Sequence, residues 1–352
     1  MVRVVDEDII NFIYATLDEK PKEVIPRVTE RFGVTRQTVS TYLARLIRQG
    51  MVVGKGTTSA RRYSLKVLDE FVETVAITPG MADDLIWRTK IAPRLDNILS
   101  ENVEDICRYA FTEMFNNVID HSESPNCLIR MTRNAFKVEF LLSDFGVGIF
   151  EKIRKAFDLE DRRHALLELS KGKLTTDSSK HSGQGIFFTS RAMDTFSLLS
   201  GDLFYSKRRS DDGWLIEVDE ADWVSGTWVR MSIQLATKRT LKDVFDKFSS
   251  GEDYGFTKTH LPISLAKYEG EKLVSRSQAK RLLARVEKFK EVVLDFKGVD
   301  SIGQAFADEI FRVFAGEHTD ITFYPINASD EIMEMIKRAK SQASSEGQRS
   351  LF

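Results

Sequence analysis

Phe111-Thr112-Glu113-Met114-Phe115-Asn116-Asn117-Val118-Ile119-Asp120-His121 is the stretch on which the fold reading turns. Helical spacing stacks Glu113, Asn117 and His121 on one face, because residues four apart are neighbours there. A carboxylate and an amide aligned in this way can serve one ligand. The amide oxygen coordinates a hard cation, and the carboxylate orients a water. Downstream, an apolar run ends in Asp144-Phe145-Gly146-Val147-Gly148, and Ser182-Gly183-Gln184-Gly185-Ile186 follows later. Either glycine segment alone is weak evidence. The three segments in this order are specific.

Together they resemble the ATP-binding fold of gyrase-type ATPases, ninety-kilodalton heat-shock chaperones, histidine kinases and mismatch-repair proteins, the GHKL (Bergerat) α/β sandwich. The resemblance implies ATP and magnesium as cofactors, with Asn117 binding the ion that bridges the phosphates. A small cation that keeps its waters and takes few protein ligands suits one amide oxygen. Glu113 would be the catalytic carboxylate that orients and deprotonates the attacking water. Asp144 would accept a hydrogen bond from the adenine amino group, with Gly146 and Gly148 letting the backbone approach the base. Lys171-Gly172-Lys173 through Ser182-Gly183-Gln184-Gly185 reads as the ATP lid. Its backbone N–H groups, and the positive end of a helix starting near Ile186, would face phosphate. Lys180 and His181 are candidate contacts, with a solvated loop an equal reading for each. Thr227, after Gly226 at a strand start, matches the family's Thr near the adenine edge. The lid is short for a chaperone or gyrase and is more similar to that of anti-sigma-factor serine kinases. The phosphoacceptor histidine helix of sensor kinases is absent.

Length and charge set the rest of the frame. At 352 residues the chain exceeds one ordinary domain. No apolar run approaches the roughly 20 residues needed to cross a bilayer. The acids between Met1 and Asp8 do not suit a secretory leader, and Cys107 and Cys127 form neither a metal-ligand spacing nor a disulfide framework. A cytoplasmic protein is expected. The net charge of −2 hides a block: Arg31, Arg36, Arg45, Arg48, Lys55, Arg61, Arg62 and Lys66 occur without an Asp or Glu among them. Such a block points to a polyanion-facing surface on one module.

That module, residues 1–66, reads as helix, helix, glycine turn, helix and hairpin, the order of a winged helix-turn-helix. Thr35 offers an N-cap, Val39, Leu43, Leu46 and Ile47 form the third helix's apolar stripe, and Met51 to Leu65 reads as the hairpin. Arg36, Gln37, Thr38, Ser40, Thr41 and Arg45 are the residues expected to meet duplex DNA from the third helix, and Arg61 and Arg62 from the wing. Protein contact is the competing use of such a module. Residues 67–80 read as a connector, 81–248 as the ATP-binding domain, 252–340 as a small α/β domain and 341–352 as a frayed tail. The fold class is thus α+β multidomain. In the C-terminal part Ser277 to Phe289 reads as one helix, Val292 to Phe296 and Ile321 to Tyr324 as strands, and Ser329 as the cap of a last helix. Val299-Asp300-Ser301-Ile302-Gly303 resembles the loop of STAS domains, the fold of anti-anti-sigma factors. By that resemblance Ser301 is a candidate phosphoacceptor, against a plain turn into the next helix. Gln304 and Ala305 depart from the usual continuation.

The expected function is an ATP-binding, ATP-hydrolysing DNA-binding regulator. Two alternatives stay open: a serine protein kinase acting on Ser301 or on a separate STAS partner, and a nucleotide sensor without turnover. A protein partner through the STAS-like domain is expected, no membrane contact is, and oligomerisation is open.

Overall fold

The computed structural model describes residues 6–56, 61–78, 80–174, 183–208, 214–217, 224–249, 255–267 and 271–349. The architecture is mixed α/β and multidomain, and the described strands form three sheets.

Helices α1 (Asp6–Glu19), α2 (Val24–Phe32) and α3 (Arg36–Arg48) enclose Ile9, Ile13, Leu17, Val28, Val39 and Leu43, all buried. The α3 cap is the one its sequence announces: the Thr38 N–H donates to Thr35 Oγ1 at 3.1 Å. Strands β1 (Val52–Lys55) and β2 (Arg62–Leu65) pair antiparallel behind them.

The central part begins earlier than expected. Residues 67–80, read as a connector, contain β3 (Asp69–Ala76), which pairs with β4 (Asn126–Arg133) along its whole length. Phe71 and Val75 point into the core while Glu70, Val72 and Thr74 face away. Charged residues on an edge strand are ordinary, because they discourage pairing with another chain, and here they mask the period of two. A π-helical turn, Trp87–Ile91, leads into α4 (Ala92–Leu95) and the long α5 (Glu101–His121). After β4 come β5 (Lys137–Asp144), α6 (Ile149–Ala156), α7 (Arg162–Lys171), α8 (Gly185–Ala192), β6 (Thr195–Gly201), β7 (Leu203–Arg208), β8 (Trp214–Glu217), β9 (Val224–Gln234) and α9 (Leu241–Asp246). The sheet runs β3-β4-β5-β9-β6-β7-β8, antiparallel at every pairing. One face carries Ile129, Met131, Val138, Phe140, Phe196, Leu198, Met231 and Ile233, and α5 covers it with Phe111, Met114 and Phe115.

The C-terminal part is a parallel three-stranded sheet of β10 (Lys258–Pro262), β11 (Glu291–Asp295) and β12 (Thr322–Ile326), with β11 in the middle. Between them lie α10 (Arg276–Leu283) and α11 (Gln304–Asp308), which continues through a π-helical segment, Glu309–Phe314, into α12 (Ala315–Glu317); α13 (Asp330–Arg349) follows β12. Two expectations are corrected here. The helix read from Ser277 to Phe289 breaks at Ala284, and Arg285 is left-handed at φ 60°. The tail read as frayed from Ser341 continues α13 to Arg349. The core of this domain is continuous with that of the central one, through Phe187, Phe188, Phe256 and Phe289.

Candidate functional site

A cavity of about 320 Å³ lies between α5, the β5–α6 turn and the start of α8, at the lower end of the range for small-molecule sites. Its apolar lining is Met114, Leu142, Ile153, Leu169, Leu174 and Val229. Its polar groups sit at two ends.

At one end Asp144 closes β5, 4% exposed. Its Oδ1 accepts from the Gly146 N–H at 3.0 Å and the Thr227 N–H at 3.2 Å. Burial pushes its pKa up, and those two N–H groups oppose the rise. Among the described residues both bonds go to Oδ1, so Oδ2 remains an acceptor for whatever enters. Thr227 Oγ1 accepts from the Ile149 N–H at 3.0 Å, tying β9 to the first turn of α6. Gly226, at φ 82°, sits so close that a Cβ there would lie 2.2 Å from the Asp144 carbonyl oxygen. Only glycine allows this junction.

The other end belongs to α5 and α8. Gly185 opens α8 directly against Glu113, where a Cβ would meet Oε2 at 2.1 Å. One turn further along α5, Asn117 lines the cavity, and its buried Nδ2 has no hydrogen-bond partner among the described residues. An unsatisfied buried polar group costs about 1–3 kcal/mol, which a ligand and its cation shell would offset. Among the described residues no group of three or more His, Cys, Asp and Glu could hold a metal ion. A cation here would therefore take most of its ligands from the bound molecule and water, as magnesium commonly does. The Asn117 amide oxygen is the ligand this chain would offer it.

Between the ends, the C-terminus of α5 is stitched to the β5–α6 turn. The Val147 N–H donates to the Ser122 carbonyl at 2.9 Å. Lys152 Nζ donates to the His121 carbonyl at 2.7 Å and pairs with Glu123 at 3.1 Å. Lys152 and Asn116 line the cavity and were not singled out from the sequence. Lys152 lies four residues after Gly148, a spacing that returns it to the same side of α6. Asn116 donates to Asp83 at 3.0 Å and carried no signal beyond its neighbour.

Glu113, Asn117, Asp144, Gly148, Gly183, Gln184, Gly185 and Thr227 therefore meet around one cavity, with Gly146 just behind it. Lys180, His181 and Ser182 lie outside the described residues. Lys171, read as the start of the lid, is instead the last residue of α7 and is 1% exposed against the C-terminal domain. Ser301 is half-buried beside Ile302, which bridges to Leu273, and does not line the cavity.

On the N-terminal module Arg36, Gln37, Ser40 and Thr41 are exposed along α3, and Arg61 and Arg62 are exposed at the start of β2. Thr38 is half-buried, its hydroxyl sharing a hydrogen bond with Thr35. Arg45 departs from expectation. Its Nη1 pairs with Asp6 at 3.2 Å, and Tyr42 donates to the same carboxylate. An acid from α1 thus enters the acid-free run from outside it, which no local reading could find.

Residues 278–333 match the family described as a STAS-like domain of unknown function (DUF4325). The match runs from α10 into α13 and leaves β10 outside, although β10 completes the parallel sheet. The comparison with curated proteins gave no match. Among the described residues no helix is long and apolar enough to cross a membrane.

Proposed function

We propose that the central module binds ATP with magnesium in the manner of a GHKL domain and that its nucleotide state governs a DNA-binding winged helix. The observation that carries the reading is that Asp144 and Asn117 line one cavity. Asp144, buried and held by the Thr227 N–H, offers Oδ2, while Asn117 presents an amide with no partner for Nδ2 among the described residues. An adenine amino group suits the first, and a phosphate oxygen suits the free amide N–H of the second, whose Oδ1 would hold the magnesium ion. The apolar side chains of the same cavity suit a flat base. The antiparallel sheet with α5 across its face supports the same reading, because it sets the ends of β5 and β9 beside that helix.

The chain's own groups have distinct tasks. Asp144 selects the base by accepting its amino hydrogen. Asn117 would hold the cation by its amide oxygen, and the cation would supply charge neutralisation for the phosphates. The α8 amino end faces the same phosphates. Glu113 takes a proton from the water that attacks the γ-phosphorus, as the bond to the bridging oxygen breaks. The exposed Arg36, Gln37, Ser40 and Thr41 would read DNA, with Arg61 and Arg62 on phosphate. Phosphoryl transfer to Ser301 or to a serine of a separate STAS partner is the second reading, and it is kept because this chain carries a STAS-like domain.

The test is binding and turnover on one sample. Asn117→Ala and Asp144→Asn should each weaken magnesium-dependent ATP binding by more than the roughly 1 kcal/mol of an ordinary hydrogen bond. Glu113→Ala should spare binding and lose phosphate release. Unchanged ATP affinity in both binding variants would overturn the site. Radioactive phosphate recovered on protein instead of in solution would favour the kinase reading, and neither fate would favour a sensor.

A further inference from the structure

The chain from Leu169 to Leu174 alternates between two duties. Leu169 and Leu174 line the cavity, whereas Lys171 turns the other way and is 1% exposed. Its ammonium donates to Glu168 Oε1 at 2.6 Å, to the Ala284 carbonyl at 2.7 Å and to the Arg281 carbonyl at 3.3 Å. Those are the three donors a lysine has. The two carbonyls lie where α10 ends, next to left-handed Arg285. Arg285 in turn pairs with Glu168 at 3.0 Å. From β10, Thr259 Oγ1 donates to the Lys171 carbonyl at 2.7 Å. Two residues on, Lys173 Nζ donates to the Lys288 carbonyl at 2.7 Å.

A solvated helix face would need none of this. A buried ammonium is tolerated only when paired and fully bonded, and here most of its partners come from a different domain than the cavity it adjoins. We infer that Lys171 is a positioning residue: it fixes the Leu169–Leu174 side of the cavity to the STAS-like domain, so that nucleotide affinity and the packing of that domain are coupled. The inference rests on the nucleotide reading of the cavity and adds the means of its regulation. Coupling of this kind is reciprocal. Nucleotide must tighten the seam by the factor that the seam tightens nucleotide.

Two full-length variants test it. Lys171→Met keeps the side chain's length and leaves Glu168 paired with Arg285. Thr259→Val removes one buried hydroxyl of equal shape and changes no charge. The probe is a fluorescent ATP analogue with magnesium, and the second readout is amide hydrogen exchange over 258–262 and 284–289. In the wild type the analogue should slow exchange there. Each variant, folded by circular dichroism, should bind roughly tenfold more weakly and lose that slowing. Variants that fold, bind as the wild type does and keep the exchange response would overturn the coupling and leave the cavity assignment standing. A wild type that binds no analogue would overturn both. Lys171→Met failing to fold leaves Thr259→Val to decide. A general loss of stability would raise exchange across the domain without abolishing the nucleotide response, and that result also counts against the coupling.

Discussion

The two flanking modules are joined to the central one by different physics. The N-terminal helices have a core of their own, to which Phe136 at the β4–β5 turn adds one aromatic side chain. Further links among the described residues are peripheral and include Lys137 with Asp18 at 2.9 Å and the Leu68 N–H donating to the Arg133 carbonyl between β2 and β3. The C-terminal domain has no such separation. Phe256 packs tilted against Phe187 and Phe188 of α8, at 4.6 and 4.9 Å, and edge-on against Phe289 beside β11, at 5.3 Å. One apolar core runs through both domains, and the Glu168–Lys171–Arg285 ion pairs lie inside the seam. The difference teaches which module can respond to what. A shared core transmits displacement because packed interiors do not deform continuously. A module with its own core can be moved as a body.

The largest effect should come from cutting the shared seam. Phe256→Ala removes a ring that is 7% exposed, and buried Phe-to-Ala changes cost about 3–5 kcal/mol. Chemical denaturation should show the central and C-terminal domains losing stability together. Two separated transitions in the wild type would break the comparison at its root. Phe136→Ala probes the other junction. This ring is 8% exposed and stands at the margin of the N-terminal core, so a loss of about 2 kcal/mol, below the usual range for a central Phe, is expected. The loss should fall on the N-terminal module, read by proteolysis of α1 to α3, with ATP binding unchanged.

The contrast also explains what the sequence disclosed. Helix α3 was legible because its cap, stripe and stop are local: Thr35, then Val39, Leu43 and Leu46, then Gly50. The cavity was legible because Glu113 and Asn117 share one helix face and Asp144 ends a strand, so each motif is short. What was missed is what depends on distant partners. Strand β3 reads as polar because only Phe71 and Val75 are buried, and its backbone partner β4 lies some fifty residues on. The break at Arg285 follows from carbonyls that turn to Lys171, more than a hundred residues away. Arg45 looked free for DNA because Asp6 lies on another helix. Lys171 looked like a loop residue because lysines are seldom buried.

Acidity separates the modules next. Burial raises the Asp144 pKa above its ordinary 3.8, and an adenine amino group requires the ionised carboxylate. The sign follows: nucleotide affinity should fall as pH drops through the raised value and should be full above it. The same raised value means that ionised Asp144 detracts slightly from folding stability above its unfolded pKa, so the acid loss of binding is not an unfolding effect. Asp144→Asn should flatten the profile. Duplex affinity should not follow Asp144, because Asp144 lies in the cavity and not on the N-terminal module. Parallel profiles for nucleotide and DNA would mean the two modules are not independent bodies.

The smallest effect concerns Arg61 and Arg62, the residues proposed to contact DNA phosphate. Arg62 is exposed on β2, and Arg61 is exposed beside it with its guanidinium over the Tyr63 ring at 5.6 Å. Removing either charge should lower the slope of log affinity against log salt by about one unit per lost contact, while sequence preference stays as it was. Arg36→Ala, at the start of α3, should instead relax preference for one base pair by roughly 1–3 kcal/mol if it reads a guanine. Arg45→Ala distinguishes the surface from the scaffold. Because Arg45 is paired with Asp6 and lies over Tyr42, its loss should leave the salt slope unchanged and loosen the contact between α1 and α3. An Arg45 variant that loses a full unit of slope would return that residue to the DNA face. It would also show that the acid from α1 yields to phosphate when duplex is present.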